Sequence, residues 1–179
     1  MKVTAKQITI TGVLLALCIV SQFFKNASVF ITGPIINACI VLAGLSVGMG
    51  CGVILAVITP VTSFFITGSP IMSAIPAIIP CVMAGNIIIV VMTCLMSKKI
   101  SGKPGLVAGL LTGSVLKAAF MGIAIALIIV PAFLPDAMAP KMTAIQMTFS
   151  VIQLATALIG SVYAFILWIP LKTVLTEQA

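Results

Sequence analysis

The run "LTGSVLKAAFMGIAIALIIVP", residues 111–131, is apolar throughout except for a few small polar groups and one lysine, Lys117. It is long enough to cross the hydrocarbon of a bilayer, which takes about 20 residues of helix. The rest of the chain agrees with that reading. Of 179 residues 62% are apolar and 6% charged, and the mean hydropathy is +1.39. A soluble domain carries about 25% charged residues. Nine Lys and two acids cannot cover a water-facing surface of this length, so lipid is the main solvent. The expected fold is all-α, a single polytopic membrane domain.

The lysines punctuate the passes. Residues 7–24 are uncharged, residues 26–97 carry no charge, and neither do residues 142–171. The middle stretch holds three passes. Its breaks are "GLSVGMGCG" (44–52), rich in glycine, and "TGSPIMSAIPAIIP" (67–80), rich in proline. Pro34 and Pro80 suit the first turn of a helix, where a missing N–H costs nothing. Six helices are predicted, at roughly 4–24, 32–47, 50–66, 80–97, 105–130 and 141–168. The basic start followed by an apolar run resembles a signal peptide, but no A-x-A site follows it, so a retained first pass is expected.

Six passes put both termini on one side. That side receives Lys2, Lys6, Lys98, Lys99, Lys103 and Lys172, and the other receives Lys25 and Lys141. The positive-inside rule then places both ends in the cytoplasm, with the plasma membrane as the location. The outer loops at 67–79 and 131–140 are longer than the 44–52 turn and contain proline; either the outer loops are shaped for a ligand or they simply vary. Trp168 and Tyr163 fit an aromatic belt near the inner end of the sixth pass.

A lysine in mid-membrane costs about 2.5–3.5 kcal/mol on insertion scales. Snorkelling relieves this only near helix ends, so Lys117 is expected to face the bundle interior or a wet cavity. Gly105, Gly109 and Gly113 lead up to it at intervals of four, the spacing that lets a neighbouring helix approach. No Asp or Glu lies in any span; the acids are Asp136, in an outer loop, and Glu177, in the tail. Three alternatives follow: Lys117 is neutral, it is held by amides and carbonyls, or its counter-ion arrives as a ligand. Asn37, Asn86, Gln146 and Gln153 are the other amides in the spans, and each must find a partner. Gln146 and Gln153, seven apart, are expected to share a helix face. These amides either glue helices together or join Lys117, Ser114 and Phe120 in lining an outward-facing pocket. Thr59, Thr62, Ser63, Thr67 and Ser69 would add hydroxyls to it, and Phe23, Phe24, Phe30, Phe64 and Phe65 apolar walls.

Several chemistries are excluded. Histidine is absent, which removes Ser-His-Asp and HExxH sites. The five cysteines are scattered, with no CxxC, and read as small buried hydrophobes. "SGKPG" lacks the spacing of a P-loop, and "GMGCG" (48–52) follows no strand. The lysines form no basic stripe, so nucleic acid is not a partner. No cofactor or metal is expected, and no enzymatic activity.

Six apolar passes in under 200 residues, basic at both ends and without an ATPase motif, resemble the substrate-binding S component of an energy-coupling-factor (ECF) vitamin transporter. The most local feature is "ITGVLLALCIV" (10–20), where Gly12 and Ala16 resemble the family's small-xxx-small pattern, usually A-x-x-x-A. The resemblance implies that these two residues contact a membrane T component, itself driven by two cytoplasmic ATPases. It implies capture of a vitamin or precursor from outside, and toppling of the whole subunit to deliver it. It also implies gating by the loops at 23–31 and 64–79, with Lys25, Asn26, Phe64, Phe65 and Thr67 as the gate residues. The metal-transporting branch of the family uses an N-terminal histidine, which this chain lacks. One cation and no acid in the spans favour an anion or a neutral amide-rich ligand over a cation; a small carboxylate such as pantothenate, biotin or nicotinate suits Lys117, and cationic thiamine does not. The alternatives are a stand-alone secondary transporter, which would be expected to keep acids in its spans, a lipid-metabolising membrane enzyme, which would want clustered Asp, and a ligand-free assembly subunit.

Overall fold

A computed structural model describes residues 4–25 and 28–177, with side chains to residue 173. Lys2 therefore lies outside the described residues. Helix α1 (Ala5–Gln22) opens on a capping box: the Thr4 hydroxyl accepts from the Gln7 N–H, and the Gln7 side chain accepts from the Thr4 N–H. Two of the four orphan donors of the first turn are satisfied in this way. Helix α2 (Val29–Ser46) is capped by the Ser28 hydroxyl, which accepts from the Phe30 N–H. That cap starts α2 earlier than the sequence suggests and moves Pro34 inside the helix rather than into its first turn.

Gly48, at φ +134°, makes the tight link into α3 (Met49–Thr67), and Gly68, at φ +55°, closes that helix. Both angles favour glycine because it has no Cβ. A five-residue helix α4 (Pro70–Ala74) occupies the segment expected as an open loop. Helix α5 (Ile78–Lys99) follows with Pro80 in its first turn and Lys98 and Lys99 in its last. Cations there complement the helix dipole.

The fifth span changes register on the way. Helix α6 (Lys103–Met121) passes without a break into a π-helical segment (Gly122–Ile129) and then α7 (Val130–Phe133). The sixth span is not one helix. A 3₁₀ segment (Asp136–Lys141) leads into α8 (Met142–Phe149), and Ser150, at φ −120° and ψ −87°, separates it from α9 (Val151–Glu177). Six stretches are long and apolar enough to cross a membrane. No strand occurs among the described residues.

Packing explains the glycines. A Cβ on Gly109 would lie 2.8 Å from Thr93 Cα, and one on Gly113 would lie 3.1 Å from Ile89 Cα. One step further along the same antiparallel contact the roles exchange. Gly85 of α5 stands opposite Lys117 and Met121 of α6, so the lysine stem has room where the helices are closest. Helix α2 is the most buried span. It runs beside α9, where a Cβ on Gly160 would meet Asn37 Cβ at 2.6 Å.

The ends of the bundle are distinct. The Gln7 side chain reaches the Val47 carbonyl at 3.5 Å, so the start of α1 lies by the α2–α3 link. The α5–α6 link and the C-terminal part of α9 lie at that same end. The α1–α2 turn, α4 and α8 gather at the opposite end, around a cavity.

Candidate functional site

Lys117 is 2% exposed. Its Nζ donates to Asn37 Oδ1 at 2.5 Å and to Asn86 Oδ1 at 2.7 Å. The two amides come from α2 and α5, so one side-chain nitrogen ties three spans together. Asn86 is oriented by its own amide, which reaches the Ala56 carbonyl of α3 at 3.5 Å. Amide oxygens supply dipoles and no net charge. Among the described residues no acidic side chain lines the cavity beside Lys117 and no salt bridge offsets it. An ammonium has three donors, and two are used.

These groups line a cavity of about 210 Å³. Gln153 of α9 and the hydroxyl-bearing Thr59 and Ser63 of α3 line it too. Ile36, Pro60, Met72, Val82 and Phe149 supply apolar wall. Lys25, from the α1–α2 turn, lines the cavity as well and donates to Ser63 Oγ at 2.7 Å. Burial pushes its ammonium below the ordinary lysine range. Beside the cavity the hydrogen bonding is incomplete. The Thr59 carbonyl accepts from the Gln22 amide at 3.1 Å and from the Thr62 hydroxyl at 3.1 Å, yet Thr59 Oγ1 and Gln22 Oε1 are buried without a partner. An unpaired buried polar atom costs about 1–3 kcal/mol.

Over residues 6–172 the sequence matches the family described as ECF transporter, substrate-specific component. The chain belongs to that family. Comparisons with curated proteins and with solved structures give no match. As an S component the chain is a substrate-binding transporter subunit rather than an enzyme. A small-molecule substrate, a T component and ATPase subunits are its partners, and it is a multi-pass membrane protein.

The structure of this S component brings Lys117, Asn37, Asn86 and Gln153, with the hydroxyl-bearing Thr59, Ser63 and Ser69, to one cavity and leaves Ser114, Phe120 and Gln146 elsewhere. Ser114 is fully buried, with its Oγ 2.9 Å from Ser161 Oγ and 2.8 Å from the Leu110 carbonyl, so it joins α6 to α9 away from the cavity. Phe120 packs on a second apolar cluster with Met121, Ile125 and Met72. Gln146 and Gln153 do not share a face, because the helix breaks between them at Ser150. Gln146 instead bonds the Ala126 carbonyl.

Of the expected gate residues, Lys25 lines the cavity and Asn26 lies outside the described residues. Phe64, Phe65 and Thr67 belong to α3 rather than to a loop; Phe64 is partly buried, Phe65 is exposed, and the Thr67 hydroxyl bonds the Ser63 carbonyl. Phe23, Phe24 and Phe30 are exposed and form no cavity wall. Sequence reasoning missed Gln22 and the inward direction of Lys25. The available signal was position: Lys25 stands three residues past α1, and a helix-end lysine beside a polar α3 terminus has a hydroxyl to reach.

Proposed function

We propose that the cavity is the substrate site of this S component and that its substrate is a small carboxylate-bearing vitamin or vitamin precursor. One observation carries the reading: two lysines, Lys117 and Lys25, line the cavity and no acidic side chain does among the described residues. The carboxylate takes the third N–H of Lys117, and Thr59 Oγ1 gains the partner it lacks. The Asn37 and Asn86 oxygens hold the ammonium in place without neutralising it, so the site is preorganised for an anion. Apolar walls such as Ile36, Val82 and Phe149 take the rest of the molecule.

The lysine distribution supports plasma-membrane insertion with both termini cytoplasmic and this cavity facing outward. Gly12 and Ala16 are both exposed on α1, which suits docking of that face on the T component.

Thermal unfolding of the detergent-purified chain against a vitamin panel tests the reading. A carboxylate ligand present at a thousand times its Kd stabilises by about 4 kcal/mol. Its primary-amide analogue is expected to bind at least tenfold more weakly. Equal binding of acid and amide, or a response to cationic vitamins alone, would overturn it.

A further inference from the structure

At the end of the bundle opposite the substrate cavity, a second cavity of about 350 Å³ opens between α2, α5, α6 and α9. Lys98, Lys103 and Lys172 line it, and no acidic side chain does among the described residues. The three come from different places: the last turn of α5, the first position of α6 and the far part of α9. Their convergence is a product of the fold. Gly102, at φ +83°, turns the chain between Lys98 and Lys103 so that both line the same space. Lys103 also stands at a helix N-terminus, where the dipole already favours negative charge. Ser97 lines the cavity too, and its Oγ is buried without a partner.

The topology rule accounts for lysines at this end of the bundle. It does not account for three of them around one cavity with an unpaired hydroxyl in its wall. Cations and a hydroxyl, with no acidic side chain in the lining among the described residues, are the donor set for a phosphate. The location narrows the source. The cavity sits at the ends of four spans, and Trp168, a residue type favoured where spans meet the headgroups, lines it beside apolar Leu106 and Ile169. A free phosphate has no use for such walls, whereas a lipid places its glycerol and acyl carbons against them. Basic pockets between spans on the cytoplasmic side hold anionic headgroups elsewhere on the same physical grounds.

We propose that this cavity is a binding site for the phosphate headgroup of an anionic phospholipid. The site shares no lining residue with the substrate cavity and does not depend on what that cavity binds.

The test uses the full chain, delipidated in a neutral detergent, with phosphatidylglycerol, phosphatidylcholine or inorganic phosphate added. Native mass spectrometry and thermal unfolding are the readouts. Phosphatidylglycerol is expected to remain bound as a one-to-one adduct and to raise Tm, with phosphatidylcholine at least tenfold weaker and inorganic phosphate without effect. The pair Lys98→Gln and Lys103→Gln is expected to weaken the adduct at least tenfold while leaving the lipid-free Tm unchanged. Ser97→Ala, which keeps every charge, is expected to weaken it severalfold and serves if the double variant does not fold. The proposal is overturned if phosphatidylcholine binds as well, if inorganic phosphate reproduces the stabilisation, or if the adduct is undiminished in the variants.

Discussion

Gln146 donates its side-chain amide to the main-chain carbonyl of Ala126 at 2.9 Å, across from α8 to the π-helical segment. The reason lies in the register. The Val130 N–H donates to the Ile125 carbonyl, five residues back. The next donor in that register is residue 131, a proline, which has no N–H. The Ala126 carbonyl would otherwise face an apolar surrounding with nothing to accept, and Gln146 supplies the donor. Replacing Gln146 with Leu, of similar size, is expected to destabilise the chain by about 1–2 kcal/mol and to lower Tm by a few degrees in detergent. Pro131→Ala in that background restores an N–H and is expected to recover part of the loss. A double-mutant cycle with no coupling between the two positions would show that the bond does nothing for the proline.

Lys117→Met removes the ammonium and keeps most of the stem's volume beside Gly85. A hydrogen bond to a charged group contributes about 1.5–3 kcal/mol, so affinity for the carboxylate ligand is expected to fall about 10- to 100-fold. Isothermal calorimetry reads this directly. The substitution also leaves the Asn37 and Asn86 oxygens without their shared donor, so a drop in ligand-free Tm is expected alongside. Undiminished carboxylate binding by the folded variant would place the anion elsewhere.

The lysine punctuation made the number of spans and the alternation of ends readable, because a charge is costly in lipid and cheap at its edge. The same cost made the inward direction of Lys117 readable before any coordinates. Its partners were less accessible. Asn37 and Asn86 stood out as amides in spans, but only the close approach at Gly85 and the α2–α5 geometry bring both oxygens to one nitrogen. The break at Ser150 left no mark, since no glycine, proline or charge stands there and the run reads as one helix. The shift to π register after Gly122 was equally silent. The break at Ser150 is why Gln146, which a straight helix would put on the face of Gln153, bonds the Ala126 carbonyl instead.

Lys25 adds a pH dependence. Its partly buried ammonium sits below the ordinary lysine range because burial disfavours the charged form. As pH rises through that lowered value, the native protein releases this proton before the unfolded chain does. The unfolded state then binds more protons, and stability rises with pH across the window between the two values. Anion binding moves the other way, since the attraction exists only while Lys25 is charged. The affinity difference between the parent and Lys25→Gln is therefore expected to be largest near neutral pH and to vanish on the alkaline side, before an exposed lysine would titrate. A difference that is constant with pH would mean that Lys25 contributes shape and no charge.

Helix α1 is the least buried of the six spans, and a Cβ on Gly12 would meet nothing within 4 Å. Gly12 and Ala16 lie one turn apart, both exposed. Within the S component alone, then, a side chain started at Gly12 has nothing to strike, and Ala16 beside it is exposed. Gly12→Leu is expected to leave Tm unchanged or slightly raised, because leucine is a better helix former than glycine, and Ala16→Leu to change it little, because the two residues differ little in helix propensity. They are expected to leave substrate binding intact as well. Against a T component the same side chains stand in the path of a helix that needs small residues to approach, so co-purification of the assembled transporter is expected to fall severalfold. Retention of full assembly by the Gly12→Leu, Ala16→Leu double variant would move the docking surface to another face of the bundle.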